Sequence, residues 1–228
     1  MIGRLREAGV VATIRAPSAE SAVRAVGTLV KGGITAIEVT YSTPDVPHVL
    51  RVLKAEFGER ILLGAGTITR SGQAGEAAAA GARFLVSPGC VEPIIAEMKQ
   101  TGVLYCPGAL TPTEVMRALA LGGQVVKIFP ADLAGPRLLG ALLGPFPGLL
   151  TMPTGGINPD NLGDWLAAGA IAVGASGDLC SHAAIARGDW AHDREPGAQR
   201  GPGHPLSRSR RKSGSNGLVP ADKGARCR

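Results

Sequence analysis

The stretch TPTEVMRALALGGQVVKIF, residues 111–129, contains one complete helix-to-strand unit. Thr111 is a good helix N-cap, Pro112 suits the first helical position, and Glu114 completes the spacing of a capping box. Glycines end the helix, and the apolar, β-branched run QVVKIF at 124–129 has the composition of a buried strand. A helix that leads into a buried strand is typical of the repeating unit of a parallel α/β sheet.

The same alternation runs through residues 9–188. Two more helix starts, at Thr43 and Asn158, place a capping residue before proline, and glycines stop helices in KGG, AAAGA and LAAGA. Eight units of strand and helix predict an α/β protein whose parallel sheet closes as a (β/α)8 TIM barrel. The candidate strands cover residues 10–15, 36–41, 61–66, 83–87, 103–108, 124–129, 149–154 and 170–175.

An open, doubly wound sheet is the main structural alternative to the barrel. Such a sheet is expected to carry a glycine-rich phosphate loop after its first strand. Here the first strand continues as IRAPSAES, which contains no glycine. We therefore expect the barrel, with the active site at the C-terminal ends of the strands.

Composition indicates a soluble globular protein. The chain has 228 residues, of which 45% are hydrophobic and 18% charged, enough for one substantial core. The N-terminal sequence lacks the pattern of a secretory signal, and no apolar run is long enough to cross a membrane. The four cysteines are scattered and form no cluster with the four histidines, so we expect a cytoplasmic protein without a metal site or disulfide framework.

The basic charge is concentrated near the C-terminus. Residues 191–228 contain nine Lys or Arg and three Asp or Glu, which accounts for the whole net charge of +6. This segment is rich in Pro, Gly, Ser and Arg, and we predict that it is a disordered tail following a barrel of residues 1–190. The run SRSRRKS could contact RNA, but no aromatic residue is interleaved for base stacking, so we expect no nucleic-acid partner.

Lys127 is the unusual residue of the opening stretch. The chain has only six lysines, and the other five lie in polar or glycine-rich surroundings. Alternation along the strand gives Lys127 the direction of Val125 and Phe129, so it points into the barrel if Val126 and Ile128 meet the helices. Burial disfavours the charged form of an amine, and a neutral amine can attack a carbonyl to form a Schiff base.

Glu38 is the natural partner of this lysine. It lies on the second candidate strand, and side chains from alternate strands share layers inside such barrels. A carboxylate that faces the lysine could move protons for carbinolamine formation and for C–C cleavage. A purely structural Lys–Glu pair that fills the barrel is an equal alternative on these two residues alone.

Other polar residues stand at the ends of strands. Thr67 and Thr154 could hold a carboxylate or a substrate hydroxyl, or could instead cap helices. Arg15 could clamp a carboxylate, or could turn to solvent. The loops PTGGIN (153–158) and VGASGD (173–178) stand after the last two strands, where barrels often bind phosphate. Together they predict a cavity for a small phosphorylated keto acid.

Six ordered motifs carry a resemblance to a known family: AIEVTYSTP, LGAGTI, FLVSPG, CPGALTPTE, VVKIFPA and PTGGINPDNL. They resemble the 2-keto-3-deoxy-6-phosphogluconate (KDPG) aldolases, a family that includes 4-hydroxy-2-oxoglutarate (KHG) aldolases and 6-phosphogalactonate aldolases. The resemblance covers residues 5–190. It implies a homotrimeric barrel, class I chemistry without a cofactor or metal, and cleavage of a phosphorylated 2-keto-3-deoxy sugar acid to pyruvate and glyceraldehyde 3-phosphate.

The resemblance also implies roles for individual residues. Lys127 corresponds to the Schiff-base lysine and Glu38 to the general acid and base. The remaining positions imply pyruvate and substrate contacts at Thr67, Phe129 and Thr154, and phosphate contacts at Gly155, Gly156 and Ser176.

Two departures from the family pattern bear on function. Gluconate-type members read EVTLRT, with a substrate-binding arginine where this chain has Ser42, whereas galactonate-type members resemble YSTP and carry an arginine after the first strand. We therefore expect Arg15 to take over the carboxylate contact, which leaves the sugar epimer open. The loop VGASGDL fits two registers, so that either Ser176 or the backbone of Gly177 donates to phosphate.

The second departure follows ARGDWAH, where the family continues with the eighth barrel helix. Here DREPGAQRGPGHP follows, and Pro196, Pro202 and Pro205 prevent a helix. We interpret the switch as the product of a shifted reading frame, which resequencing would test. If the sequence is native, a catalytically impaired barrel with a basic binding tail is the alternative function.

Overall fold

The computed structural model describes residues 1–176, in which parallel strands alternate with helices. The strands are β1 Val10–Ile14, β2 Ala36–Thr40, β3 Leu62–Gly66, β4 Phe84–Val86, β5 Leu104–Cys106, β6 Gly108–Ala109, β7 Val126–Ile128, β8 Thr151–Pro153 and β9 Val173–Ala175. The α-helices are α1 Ile2–Ala8, α2 Ala19–Lys31, α3 Val46–Phe57, α4 Gln73–Ala80, α5 Glu92–Gln100, α6 Pro112–Ala120, α7 Arg137–Leu143 and α8 Leu162–Ala167. Single 3-10 turns cover Gly58–Arg60 and Ala131–Leu133.

The strands form a closed ring. Six strands pair in the order β5-β4-β3-β2-β1-β9 and three in the order β6-β7-β8. Only Pro107 separates β5 from β6, and a parallel bridge between Thr154 and Gly174 joins the end of β8 to β9. The predicted (β/α)8 barrel is therefore confirmed.

The fifth predicted strand is divided because proline has no N–H for the ladder. The sheet nevertheless continues across it through carbonyl groups. Cys106 accepts a hydrogen bond from the Ser87 amide (3.2 Å), and Pro107 accepts one from the Lys127 amide (2.9 Å). The other seven predicted strands are found with slightly shorter bounds.

Side chains alternate between two apolar cores. Val126 and Ile128 pack with the outer helices, in contact with the cluster of Leu139 and Trp165. Val125 belongs instead to the cluster inside the ring, with Val11 and Met152. The predicted direction of Lys127, between Val126 and Ile128 and into the ring, is therefore confirmed.

The first helix, α1, was not predicted from the sequence. Its Leu5 is fully buried in the interior cluster with Leu62 and Phe84, at the N-terminal ends of the strands. Gly9 ends the helix with φ 66°, a conformation that favours glycine. This helix closes one end of the barrel with apolar side chains.

The predicted helix starts are correct once and wrong twice. Thr111 caps α6 with Glu114 in a full capping box. Thr43 does not cap α3, because its hydroxyl accepts a hydrogen bond from the Ala16 amide (3.1 Å), and Asp45 is the cap instead. Asn158 forms a turn ahead of α8, whose N-cap is Asn161.

The predicted loss of the eighth outer helix, the domain boundary at residue 190 and the basic tail of 191–228 lie outside the described residues. Within the described part of the chain, no helix combines the length and apolar character needed to span a membrane.

Candidate active site

Lys127 and Glu38 form a buried ion pair inside the barrel. Lys127 reaches in from β7 and is 4% exposed, while Glu38 on β2 is fully buried. The lysine Nζ lies 4.0 Å from Glu38 Oε1, which is longer than a hydrogen bond. The two groups are thus close enough to interact electrostatically without forming a direct hydrogen bond.

The carboxylate of Glu38 is electrostatically unusual. Neither of its oxygens has a hydrogen-bond partner among the described residues. Burial raises the pKa of Glu38, and the nearby cations Lys127 and Arg15 offset part of that effect. The neighbouring Cys106 thiol on β5 also has a raised pKa, about 12, through burial and the Glu38 charge. A carboxyl group with a raised pKa in an enclosed site is suited to proton transfer.

Glycines in the strands make space for this pair. A methyl group on Gly66 would overlap the Glu38 carboxylate, and one on Gly64 would overlap the Phe84 ring. On the other side of the barrel, a methyl group on Gly174 would overlap the Thr154 hydroxyl. The interior is therefore widest where the polar side chains reach in.

Phe129 forms part of the wall beside the lysine. Its ring centroid lies 5.0 Å from Lys127 Nζ, within the range of a cation–π contact. The residue is 36% exposed, so the ring stands at the open end of the barrel. A flat apolar face at this position is suited to cover one side of a small planar ligand.

The strand-end residues Thr154, Thr67 and Arg15 occupy different environments. Thr154 is buried and points inward, and its hydroxyl has no partner within residues 1–176. Thr67 is half-buried after β3 and adopts a left-handed backbone conformation with φ 58°, which is uncommon for a β-branched residue. Arg15 is exposed after β1, yet its charge acts on Glu38.

The loop after β8 is open to anions. Gly155 and Gly156 have φ of 102° and 66°, and neither amide donates a backbone hydrogen bond to another described residue. Asn161 braces the loop by donating to the Gly156 carbonyl (2.8 Å). The loop packs on Asp132, next to the strand that carries Lys127. Two unengaged amides near the lysine are the expected elements of a phosphate contact.

Ser176, the other predicted phosphate residue, is exposed directly after β9. A parallel bridge between Thr154 and Gly174 joins the end of β8 to β9. The alternative donor Gly177 lies outside the described residues. Ser42, at the position of the gluconate-type arginine in the sequence comparison, is exposed after β2. Its hydroxyl lies 2.7 Å from that of Thr40.

Sequence reasoning missed several residues of this site. Thr13 is buried beside Glu38 and has no hydrogen-bond partner for its hydroxyl in the described chain. The sequence feature that could have identified Thr13 is its position: it is a polar residue two places after Val11, on the inward side of the first strand. Gly66 and Gly174 were also missed, although glycine inside a strand often marks a close approach by another group.

A cleft at the other end of the barrel is separate from this site. It has a volume of about 500 Å³ and is lined by residues of α1 and of the segments that lead into β5 and β7, including Lys99, Tyr105 and Gln124. None of the predicted site residues lines it. Because barrels of this type place their chemistry at the C-terminal strand ends, Lys127 and Glu38 mark the candidate active site.

Comparison with known proteins gives a consistent result. The family model for KDPG and KHG aldolases matches residues 1–194. The 2-dehydro-3-deoxy-phosphogluconate aldolase of Treponema pallidum is 35% identical over 188 residues, covering 82% of this chain and 89% of that protein. The 2-dehydro-3-deoxy-6-phosphogalactonate aldolase of Escherichia coli is 31% identical over 170 residues, or 74% of this chain and 83% of that protein.

A solved structure gives the same relationship. KDPG aldolase from Legionella pneumophila, determined with pyruvate captured as a covalent carbinolamine, matches with a TM-score of 0.76 at 33% identity. The match covers 83% of this chain and 93% of the Legionella protein. By sequence, by fold and by the length over which both agree, this chain belongs to the KDPG and KHG aldolase family.

Proposed function

We propose that this chain is a class I aldolase that cleaves 2-keto-3-deoxy-6-phosphogluconate to pyruvate and D-glyceraldehyde 3-phosphate. The observation that carries the proposal is the buried pair of Lys127 and Glu38, with Nζ and Oε1 4.0 Å apart at the open end of the barrel. A structural pair would satisfy the carboxylate with hydrogen bonds. Both oxygens of Glu38 instead lack a partner among residues 1–176.

In this proposal Lys127 supplies the nucleophile. The Lys127 ammonium gives its proton to Glu38, and the neutral amine attacks the C2 carbonyl of the substrate to give a carbinolamine. Glu38 returns the proton to the carbinolamine hydroxyl, which leaves as water and gives an iminium ion. The iminium withdraws electrons from the C3–C4 bond. That bond breaks as the C4 hydroxyl loses its proton, which releases the aldehyde and leaves an enamine on the lysine.

Glu38 moves the protons. It accepts the proton of the C4 hydroxyl as the bond breaks and returns a proton to C3 of the enamine, after which hydrolysis frees pyruvate and regenerates the amine. Burial, which raises the pKa of Glu38, makes its carboxylate a stronger base than an exposed one.

The remaining site residues orient the substrate. Arg15 and Thr67 bind the carboxylate, Phe129 covers the pyruvate moiety, and Thr154 binds a substrate hydroxyl. The phosphate is held by the loops after β8 and β9, which contain Gly155, Gly156 and either Ser176 or Gly177. The unengaged amides of the first loop support this assignment.

Reductive trapping tests the assignment of the nucleophile. Borohydride with pyruvate converts the iminium to a stable secondary amine, so we expect one reduced pyruvate adduct, located on Lys127 by peptide mass spectrometry. Lys127→Met is expected to give no adduct. Lys99→Met, which removes an exposed lysine at the opposite end of the barrel, serves as the matched control and is expected to label fully. A folded protein without an adduct would falsify the Schiff-base function and favour an impaired barrel with a basic binding tail.

The galactonate epimer is the second candidate substrate. Ser42 occupies the position of the gluconate-type arginine and is tied to Thr40 (2.7 Å), whereas Arg15 stands after β1, as in galactonate-type members. Comparing kcat/KM for the two phosphorylated epimers decides between them. A ratio in favour of the galactonate compound overturns the gluconate assignment while leaving the mechanism unchanged.

The proposal includes a homotrimer in the cytoplasm, as the family resemblance implies. Sedimentation of the full chain tests the oligomeric state, because a monomer and a trimer differ threefold in mass.

A further inference from the structure

The barrel interior contains a buried polar residue that the proposed reaction does not use. Thr13 on β1 is 8% exposed, and its hydroxyl oxygen has no hydrogen-bond partner in the described chain. It shares the inward direction of Val11, which lies in the interior cluster. An unpaired buried hydroxyl is unfavourable, so such groups are rare in folded proteins.

Thr13 stands directly beside Glu38. The two residues are register partners of the parallel strands β1 and β2, so their side chains enter the barrel next to each other. Both carboxylate oxygens of Glu38 also lack partners among the described residues. Two adjacent polar side chains with unused hydrogen-bonding capacity thus share one part of the interior.

These two side chains match what a buried water needs. Such waters make two to four hydrogen bonds to polar groups that are otherwise unsatisfied. The Thr13 hydroxyl can donate or accept, whereas an ionised Glu38 can only accept. A water held by Thr13 therefore directs one of its own protons at the carboxylate.

We propose that Thr13 is a positioning residue for Glu38, and that its hydroxyl holds a buried water that donates a hydrogen bond to the Glu38 carboxylate. The inference rests on the proposed aldolase function, in which Glu38 transfers protons. A donor to the carboxylate stabilises its ionised form. Thr13 thereby lowers the pH at which Glu38 begins to act as a base.

Three other ionisable groups face Glu38 from the surrounding strands. Lys127 approaches from β7, Arg15 follows β1, and the Cys106 thiol lies on β5. The cations lower the pKa of Glu38, and burial raises it. The Thr13 hydroxyl, like the cations, favours the ionised form of Glu38, but it carries no charge. Removing it therefore tests its effect on Glu38 without changing the net charge of the site.

The test replaces Thr13 by valine, which removes the hydroxyl and keeps the shape. Two titrations are followed: the acid limb of the kcat profile, and the carbon-13 carboxyl signal of Glu38 in glutamate-labelled protein, assigned by its loss in Glu38→Gln. We expect both midpoints to rise by about one pH unit in Thr13→Val, because the valine variant cannot hold the donor that stabilises the ionised carboxylate.

Two further variants complete the design. Thr13→Ser keeps the hydroxyl and is expected to restore both midpoints. Thr151→Val removes a buried threonine hydroxyl from β8, next to Met152 but on the opposite side of the strand, and is expected to leave both midpoints unchanged.

A Glu38 titration that does not move in folded Thr13→Val overturns the proposal, as does a loss of activity without a shift of the acid limb. If the valine variant does not fold, Thr13→Ala carries the same expectations. The NMR titration does not depend on catalysis, so it decides the role of Thr13 even if the chain proves to have no aldolase activity.

Discussion

At the scale of single residues, the buried carboxyl of Glu38 makes the stability of the fold depend on pH. The carboxyl is fully buried without a hydrogen bond in the described chain, and burial raises its pKa. The folded chain therefore binds this proton more tightly than the unfolded chain does. Linkage then requires that the folded state is favoured most when Glu38 is protonated, below its unfolded pKa, and loses that contribution as the pH rises through the folded-state pKa.

Glu38→Gln makes this coupling measurable. The amide cannot ionise, so we expect the difference in Tm between Glu38→Gln and the parent to increase in favour of the variant from pH 4 to pH 8. Each kcal/mol corresponds to about 2–4 °C in a domain of this size. Glu56→Gln, which removes an exposed carboxylate of α3, is the control and should show no such trend. A constant difference for Glu38→Gln would mean that the carboxyl titrates alike in both states.

The same variant separates stability from chemistry. Because general acid–base catalysis contributes roughly 10²- to 10⁴-fold, we expect kcat to fall by that order in Glu38→Gln while the protein remains folded.

At the scale of elements, strand β3 provides the space for this carboxylate. Gly66 is a register partner of Thr40 and lies beneath the Glu38 side chain, whose carboxylate a methyl group would overlap. We expect Gly66→Ala to lower kcat by about 10- to 100-fold, because displacing a catalytic group by about 1 Å costs on this order. Steady-state kinetics and circular dichroism measure the activity and the fold.

Gly75→Ala is the matched control for this prediction. Gly75 lies in α4 and a methyl group there meets no atom within 4 Å. Alanine is the better helix former by about 0.5–1 kcal/mol, so this variant should keep full activity with equal or greater stability. Full activity in Gly66→Ala would show that Glu38 does not need its present position.

The elements also show how far the sequence could predict the structure. The eight strands and the direction of Lys127 follow from local apolar patterns, which a parallel barrel preserves because its strands are buried on both faces. The break at Pro107 follows from the proline itself, whereas the start of α3 at Asp45 depends on a contact between distant segments. Thr43 illustrates the reason, since its hydroxyl is used by the Ala16 amide across 27 residues.

The candidate site was predictable to a similar degree. Lys127 stood out as a charge in an apolar strand, and Glu38 followed from the layering of alternate strands. Thr13 did not stand out, because a threonine in a strand is ordinary. Only the sheet register, which places it beside Glu38, distinguishes it from other strand threonines.

At the scale of the molecule, the barrel interior divides into two halves. The half at the N-terminal strand ends is apolar and closed by Leu5 of α1, with Phe84 and Met152 above it. The half at the C-terminal ends holds Glu38 and Lys127. This separation is typical of TIM barrels, in which one end supports stability and the other carries the chemistry. The packing of the apolar half offsets the unfavourable burial of the unpaired polar groups.

The distribution of charge gives a prediction for the whole chain. Residues 1–190 are neutral overall, whereas 191–228 carry the entire +6 excess. We expect any association with a single-stranded RNA oligonucleotide to depend on this segment alone and to weaken steeply between 50 and 200 mM salt, as phosphate contacts do. Replacing Arg208, Arg210, Arg211 and Lys212 together by glutamine should abolish most of this RNA binding, measured by fluorescence anisotropy, without changing kcat/KM.

The charge-matched control consists of four glutamine substitutions at basic residues of the barrel surface, Arg24, Lys31, Arg51 and Lys54. RNA binding that survives the first set and is lost with the second would place the contact on the barrel and return a nucleic-acid partner to consideration.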